Sequence, residues 1–308
     1  METAFVTGGT GMIGLALIDE CLRQGVKVLA LVREDSPRAD RLPDHRNLVR
    51  VNGSLDDLEN LPSLVGETCD VFFHLAWGFT GAARNASTER QAANIAWTLK
   101  AVRAAKALGC HRFVGAGSQA EYGPKDLPAI RPDTPAEPNT PYGAAKLSAC
   151  LLSKMLADEI GIEWVWPRIF SVYGPYDKPS TMIASSISKM LSGEGVHFSP
   201  ATHRWEYLYS RDAGKAMYLL GEKGKPGKIY CLGSGQSRPL REFIEEMAEA
   251  LEVPVSGIGD IPYPMDRPVR NLCADITSLE EDTGFQVETG FPEGIRETAE
   301  YIRRRLKA

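Results

Sequence analysis

Two rhythms of apolar residues alternate along the first half of the chain. Short, mostly apolar runs at 4–6, 26–32, 47–52, 70–76, 112–116 and 162–168 predict strands. Between them, apolar residues recur at helical spacing. Met12, Ile13, Leu15, Ala16, Leu17, Ile18, Cys21 and Leu22 form one such stretch, closed by Gly25, and longer ones cover 85–108 and 141–160. The run at 70–76 is nearly all apolar, as expected of a parallel strand buried on both faces. Strands and helices in alternation predict a doubly wound α/β fold, a parallel sheet with helices on both sides. In 85–108, Ala92, Ala93, Ile95, Ala96, Leu99, Val102, Ala105 and Leu108 cover more than one helix face. One side suits the sheet and another suits a second copy, so a homodimer is expected. After Arg168 prolines interrupt shorter elements: helices near 180–192, 211–222, 239–251 and 292–306, and strands near 205–209 and 228–232. That half predicts a smaller lobe over the carboxyl ends of the strands, where α/β proteins take their ligands.

The first strand runs into Thr7-Gly8-Gly9-Thr10-Gly11-Met12-Ile13-Gly14. Glycines spaced three and three, after a strand and before a helix, are the pattern of a dinucleotide-binding turn. One permits the tight turn, one lets backbone approach a pyrophosphate, and one lets helix and strand pack closely. The helix dipole and its first N–H groups then face the anion. The second strand ends at Val32, where an acid would bind the 2′-hydroxyl of an adenosine ribose; Arg33 follows instead, with Arg38 and Arg41 close behind. That exchange predicts NADP, with NAD as the alternative.

Composition narrows the partners. With 308 residues, a net charge of −5 and 43% apolar residues, the chain is ordinary globular protein with no general attraction to nucleic acid or anionic lipid. No run is long and apolar enough for a membrane span, and no basic-then-apolar leader opens the sequence, so a cytoplasmic location is expected. The six cysteines (21, 69, 110, 150, 231, 273) lack metal-ligand spacing and predict reduced, buried thiols, and the histidines suggest no metal site.

Tyr142 and Lys146 lie four apart at the start of a helix and share its face. An ammonium beside a phenol favours the phenolate and brings it toward the range of a general acid or base. Ser118 ends the fifth strand, so it can meet them at the sheet's carboxyl edge and hydrogen-bond a substrate oxygen while Tyr142 moves the proton.

Together with His74-Leu75-Ala76, Asn94, Tyr122-Gly123, and Arg168-x-Phe170-x-x-Tyr173-Gly174-Pro175, these motifs resemble the extended short-chain dehydrogenase/reductase family, the NAD-dependent nucleotide-sugar epimerases, dehydratases and deoxysugar 4-ketoreductases. Residues 204–212 resemble its later Arg-Asp-Phe-Ile-x-Val-x-Asp segment, so the likeness spans essentially the whole chain. It implies a Rossmann domain over 1–170 and a mainly substrate-binding lobe over 171–308, part of which is free to return to the Rossmann domain. It implies Ser118, Tyr142 and Lys146 as catalytic residues. It gives Gly8, Gly11, Met12, Ile13, Gly14, Arg33, Leu75, Ala76, Tyr142 and Lys146 to the cofactor, and Ser118, Gln119, Arg204 and Arg267 to a nucleotide-diphosphate sugar.

The departures are informative. Dehydratases of the family carry an Asp-Glu pair directly after the hydroxyl residue; here Gln119 and Ala120 stand there, and Glu121 is one step displaced and expected to point elsewhere. Ser54 replaces a usual aspartate near the adenine, and Ser171 a substrate-binding asparagine. Trp77 suits either the sugar pocket or the core. The leading expectation is reduction of a nucleotide-linked 4-keto-6-deoxysugar by hydride transfer, with Tyr142 as proton donor. The alternative is a 4-epimerase with tightly held NAD. A non-catalytic NADP-sensing protein is disfavoured because both Tyr142 and Lys146 are present.

Overall fold

The computed structural model describes residues 1–80, 82–255, 257–263 and 271–307. Seven parallel strands form the main sheet: β1 (Thr3–Thr7), β2 (Lys27–Val32), β3 (Leu48–Asn52), β4 (Val71–His74), β5 (Arg112–Gly115), β6 (Glu163–Ile169) and β7 (Lys228–Leu232). Their order is β7-β6-β5-β4-β1-β2-β3. After one residue β5 resumes as Gly117–Ser118, which pairs with Arg168 and Ile169 of β6. Chain direction across the sheet reverses between β1 and β4, which places the ligand crevice at the carboxyl ends of these two strands.

The period-two pattern of the strands sorts the core into two layers. Phe5, Phe72, Phe113, Trp164 and Trp166 face one way, against the small residues Ala101, Ala105, Ala149 and Ala157 of α2 (Thr88–Ala107) and α3 (Pro141–Ile160). Val6, Phe73, Val114 and Val165 face the other, against Leu17 and Ile18 of α1 (Met12–Arg23) and Met217 and Leu220 of a second helix. That second helix, Ser210–Lys223, and β7 belong to the chain's second half, so the region past residue 170 is divided between sheet and lobe. The lobe proper packs α4 (Met182–Leu191), α6 (Leu240–Ala250) and α7 (Phe291–Lys307), with Ser210–Lys223 counted as α5, around Tyr173, Ile187, Tyr209, Met247 and Ile295.

Boundaries moved where local capping decides them. The helix expected from 85 begins at Thr88, because the Ser87 hydroxyl caps it by accepting from Arg90 N–H; Ala82–Asn85 is a separate 3₁₀ turn. The strand expected at 205–209 is two short ones. Arg204–Trp205 pairs antiparallel with Arg238–Pro239, and Leu208–Tyr209 pairs parallel with Val172–Tyr173. Short helices Leu61–Val65 and Thr277–Thr283 span too few turns to show a period in sequence. Helix α3 runs over the expected residues: Thr140 caps it, Pro141 opens it, and Gly161 ends it in a left-handed conformation. All six cysteines are buried and none is bridged. Among the described residues no helix is long and apolar enough to cross a membrane, and no group of three or more His, Cys, Asp or Glu side chains is placed to hold a metal.

Candidate active site

At the crevice, β1 and β4 are tied together just beyond their ends. The Thr7 hydroxyl lies 2.9 Å from His74 Nδ1 and accepts from Ala76 N–H at 3.3 Å. Gly8 follows with φ +77°, and its backbone rests so close to Leu75 and Ala76 that a Cβ would fall 2.6 Å from Ala76 N. A Cβ on Gly14 would fall 2.3 Å from Gly8 O, so the helix can meet the turn only as glycine. Gly11 opens α1 with no side-chain cap, and a Cβ there would meet only Gly8 O, at 3.4 Å. The first N–H groups of α1, with Met12 and Ile13 in its first turn, are therefore free for a ligand anion. This cradle fits a dinucleotide pyrophosphate. Beyond β2, Arg33 is exposed, with Asp35 at 3.9 Å as its ion-pair partner. Arg41 donates to Thr10 O at 3.2 Å and lies over the Tyr176 ring. Ser54 caps the 3₁₀ turn Leu55–Asn60 and donates its hydroxyl to Asp57, so its role here is local.

Ser118, Tyr142 and Lys146 converge at the neighbouring strand ends. Tyr142 sits one residue inside the first turn of α3, near enough to the Ser118 hydroxyl for that group to favour its phenolate. Lys146, one turn on, is buried; its ammonium donates to Ala116 O at 2.6 Å and lies 3.6 Å from the centroid of the Trp77 ring. Burial pushes the ammonium down to about 7, against the pull of Glu121.

The expectation that Lys146 lowers the phenol is not met. Desolvation dominates and holds Tyr142 above its ordinary value, while the Ser118 hydroxyl and the Arg84 charge oppose it. The reason is geometric: the ammonium turns to Ala116 O and Trp77 and stands 6.0 Å from the Tyr142 ring centroid. At neutral pH the phenol therefore carries its proton, the state of a donor.

Glu121 points away from the cleft, as expected, although its segment is a 3₁₀ turn (Gln119–Glu121) and not extended. Its fully buried carboxylate accepts from Ser118 N–H at 2.9 Å, Trp166 Nε1 at 3.1 Å and Arg168 Nε at 2.7 Å. It braces the backbone that carries Ser118.

A cleft of about 250 Å³ opens on the other side of Tyr142, lined by Gln119 and by Arg84, Lys125, Asn139, Trp205 and Asn271. Trp77 is partly buried and packs against the core layer behind the site, with its ring centroid 6.0 Å from that of Tyr142 and its Nε1 donating to Gln91 at 2.9 Å. Buried Asn94 pins the same loop through Gly78 N–H at 2.6 Å. Arg204 behaves differently from expectation. Neighbours on a strand face opposite ways, so Trp205 lines the cleft while the exposed Arg204 guanidinium is tied to Ser237. Arg267 lies outside the described residues. Sequence reasoning missed Arg84, Lys125, Asn139 and Asn271, which sit on loops without a motif; strand alternation alone could have pointed to Trp205.

With this geometry in place, the comparisons with known proteins are decisive for the family. The model of the NAD dependent epimerase/dehydratase family matches residues 4–233. The chain belongs to this family. A dTDP-glucose 4,6-dehydratase of Streptomyces niveus is 26% identical over 97% of this chain and 92% of its own length. A UDP-glucose 4-epimerase from Thermotoga maritima, solved with UDP-glucose, superposes with a TM-score of 0.86 at 26% identity, covering 99% of each chain. A UDP-N-acetylglucosamine 4-epimerase from Methanobrevibacter ruminantium M1, solved with UDP-N-acetylmuramic acid, gives 0.87 at 26%, again over 99% of each chain. This family member is thus an enzyme of the epimerase/dehydratase type, with the sheet, glycine turn and Tyr-Lys pair arranged at one crevice.

Proposed function

We propose that this epimerase/dehydratase-family enzyme reduces a 4-ketosugar linked to a nucleoside diphosphate, with NADPH as reductant. The observation that carries the reading is the convergence of Ser118, a protonated Tyr142 and Lys146 beside the glycine turn, with Gln119 and Ala120 where elimination of water would need acids. Relatives solved with UDP-glucose and UDP-N-acetylmuramic acid support the substrate class. The nicotinamide, when bound, supplies the hydride. Gly8, Gly11, Met12, Ile13 and Gly14 would hold the pyrophosphate, with Leu75 and Ala76 beside them, and Lys146 would hold the ribose. Ser118 orients the carbonyl oxygen, and Tyr142 delivers its proton to that oxygen. Gln119 lines the sugar side. Arg204 and Arg267 remain proposed contacts to the diphosphate, Arg204 only after leaving Ser237.

Arg33 is proposed to select NADPH. Its exposed guanidinium has a single carboxylate, at 3.9 Å, and can pair with a 2′-phosphate. Incubation with a panel of nucleotide-linked 4-ketosugars should consume NADPH in step with product, and Arg33→Ala should raise the KM for NADPH and leave that for NADH nearly unchanged. Equal use of both cofactors by the unaltered enzyme would exclude this role for Arg33. Loss of one water from a nucleotide-linked glucose would replace the reductase reading with a dehydratase. A second reading, a 4-epimerase with tightly held NAD, is favoured by the full-length likeness to the two epimerases. It predicts sugar inversion with no net NADPH consumption.

A homodimer is proposed through α2 and α3. Leu151, Leu152 and Met155 of α3 are exposed, Met155 at 65%, and would pair symmetrically with a second copy beside α2. Light scattering should give twice the chain mass at micromolar concentration; the monomer mass would reject the pairing.

A further inference from the structure

Trp205 lines the cleft, and its neighbour Glu206 points the opposite way, into the protein. The Glu206 carboxylate is fully buried just past the end of β7. One oxygen accepts from Ser234 N–H at 3.1 Å, the Ser234 hydroxyl at 3.0 Å and Gly235 N–H at 3.1 Å; the other accepts from Ala274 N–H at 3.1 Å. The fit is close, since a Cβ on Gly233 would fall 2.3 Å from the second oxygen. Glu206 thus fastens the chain around Ala274 to the edge of the sheet, and that chain is cleft wall. Asn271 Oδ1 accepts from Arg204 N–H at 2.8 Å, and Leu272 N–H donates to Arg204 O at 3.0 Å. Ile130 joins the same segment, donating its N–H to Cys273 O at 2.8 Å and accepting from Asp275 N–H at 2.9 Å. Trp205, Asn271, Leu272 and Ile130 all line the cleft beside Tyr142. None of these bonds involves the glycine turn, Tyr142 or Lys146.

We infer that Glu206 is a positioning residue for the nucleotide sugar: through Trp205, Asn271, Leu272 and Ile130, its carboxylate sets the wall against which that ligand binds. The inference rests on the nucleotide-sugar reading above and deepens it. Every partner of Glu206 is a donor, so both oxygens must accept. Only an ionised carboxylate meets that demand. A protonated carboxyl or a glutamine amide turns one side into a donor and gives up either Ala274 or the Ser234–Gly235 pair. Burial raises the carboxyl to about 7, against the pull of these same four hydrogen bonds. The titratable groups facing it from the packed segments are the buried thiols of Cys231 and Cys273, whose own values its charge raises; Asp275, Arg168 and Arg204 act on these thiols as well. The wall is therefore fully fastened above about pH 7 and loosens as pH falls through that value, where Glu206 takes up its proton.

The test measures equilibrium affinities for UDP-glucose and dTDP-glucose, and separately for NADPH, between pH 5.5 and 8.5, a range of about 1.5 units either side of the Glu206 value. At pH 8, Glu206→Gln should weaken the sugar nucleotide ~10-fold, the lower end of what a hydrogen bond to a charged group contributes, and leave NADPH binding as it was. Ser234→Ala removes one donor and keeps the two N–H bonds, so it should cause a smaller loss in the same direction, ~3-fold; it carries the test if Glu206→Gln fails to fold. In the unaltered enzyme sugar-nucleotide affinity should fall as pH drops through about 7, and in Glu206→Gln that fall should shrink. Lys146, which burial also brings to about 7, titrates in both proteins, so the difference between the two profiles belongs to Glu206. Unchanged sugar-nucleotide affinity in the variants, parallel pH profiles, or an equal loss of NADPH binding would overturn the inference and leave the nucleotide-sugar reading standing. Failure of both sugar nucleotides to bind the unaltered enzyme would overturn both.

Discussion

Replacing Tyr142 by Phe is expected to slow the reductive half-reaction by ~10²–10⁴-fold, the usual loss when a general acid is removed. The ring would stay in place, because its packing against Trp77 and under Arg84 needs no hydroxyl. The substitution removes the phenol hydroxyl alone, and with it the proton to be delivered and the influence of the Ser118 hydroxyl on it. Cofactor binding should therefore survive. Lys146→Ala should behave differently and damage both turnover and cofactor affinity, since its ammonium is proposed to hold the ribose. The pair of variants separates proton donation from cofactor placement in one stopped-flow experiment with NADPH. A Tyr142→Phe rate within about tenfold of the unaltered enzyme, below the range for a lost general acid, would reject the acid assignment.

Elements that depend on pattern were legible in the sequence, and those that depend on tertiary geometry were not. The glycine spacing of residues 8, 11 and 14 defined the turn because Gly8 and Gly14 each answer a backbone contact no Cβ tolerates, while Gly11 leaves the start of α1 uncapped. Helix α3 was legible to its ends because Thr140, Pro141 and Gly161 are local signals. The phenol's environment was not. The four-residue spacing puts Tyr142 and Lys146 on one face, but the direction of a lysine ammonium depends on acceptors elsewhere, here Ala116 O and the Trp77 ring. Arg204 shows the same limit at one-residue scale. A motif likeness placed an arginine in the site, while the register of Arg204–Trp205 against Arg238–Pro239 turned the tryptophan inward. Arg84 carried no sequence signal, because its position follows from a loop and not from a repeat.

Truncating Glu121 to Leu is expected to cost ~3–5 kcal/mol of folding stability, the range for stripping one partner from a buried ion pair. Glu121 is fully buried and Arg168 is 3% exposed, so solvent cannot replace what is removed. The variant would strand the Arg168 guanidinium with Pro132 O at 3.3 Å and the Tyr122 ring at 4.4 Å. It would also leave Ser118 N–H and Trp166 Nε1 without an acceptor, each costing ~1–3 kcal/mol when buried, partly included in the same total. Adding Arg168→Met should recover much of the loss, because both charges then leave the interior together. Denaturant midpoints of the three proteins give the comparison. The consequence reaches the site as well: Glu121 is the group that opposes the effect of burial on Lys146, so the ammonium should fall further below about 7 in either variant. In the more stable double variant, activity should still be impaired, since Ser118 has lost the bond that fixes its backbone. A Glu121→Leu protein as stable as the unaltered one would show that the carboxylate is not what holds this floor of the cleft together.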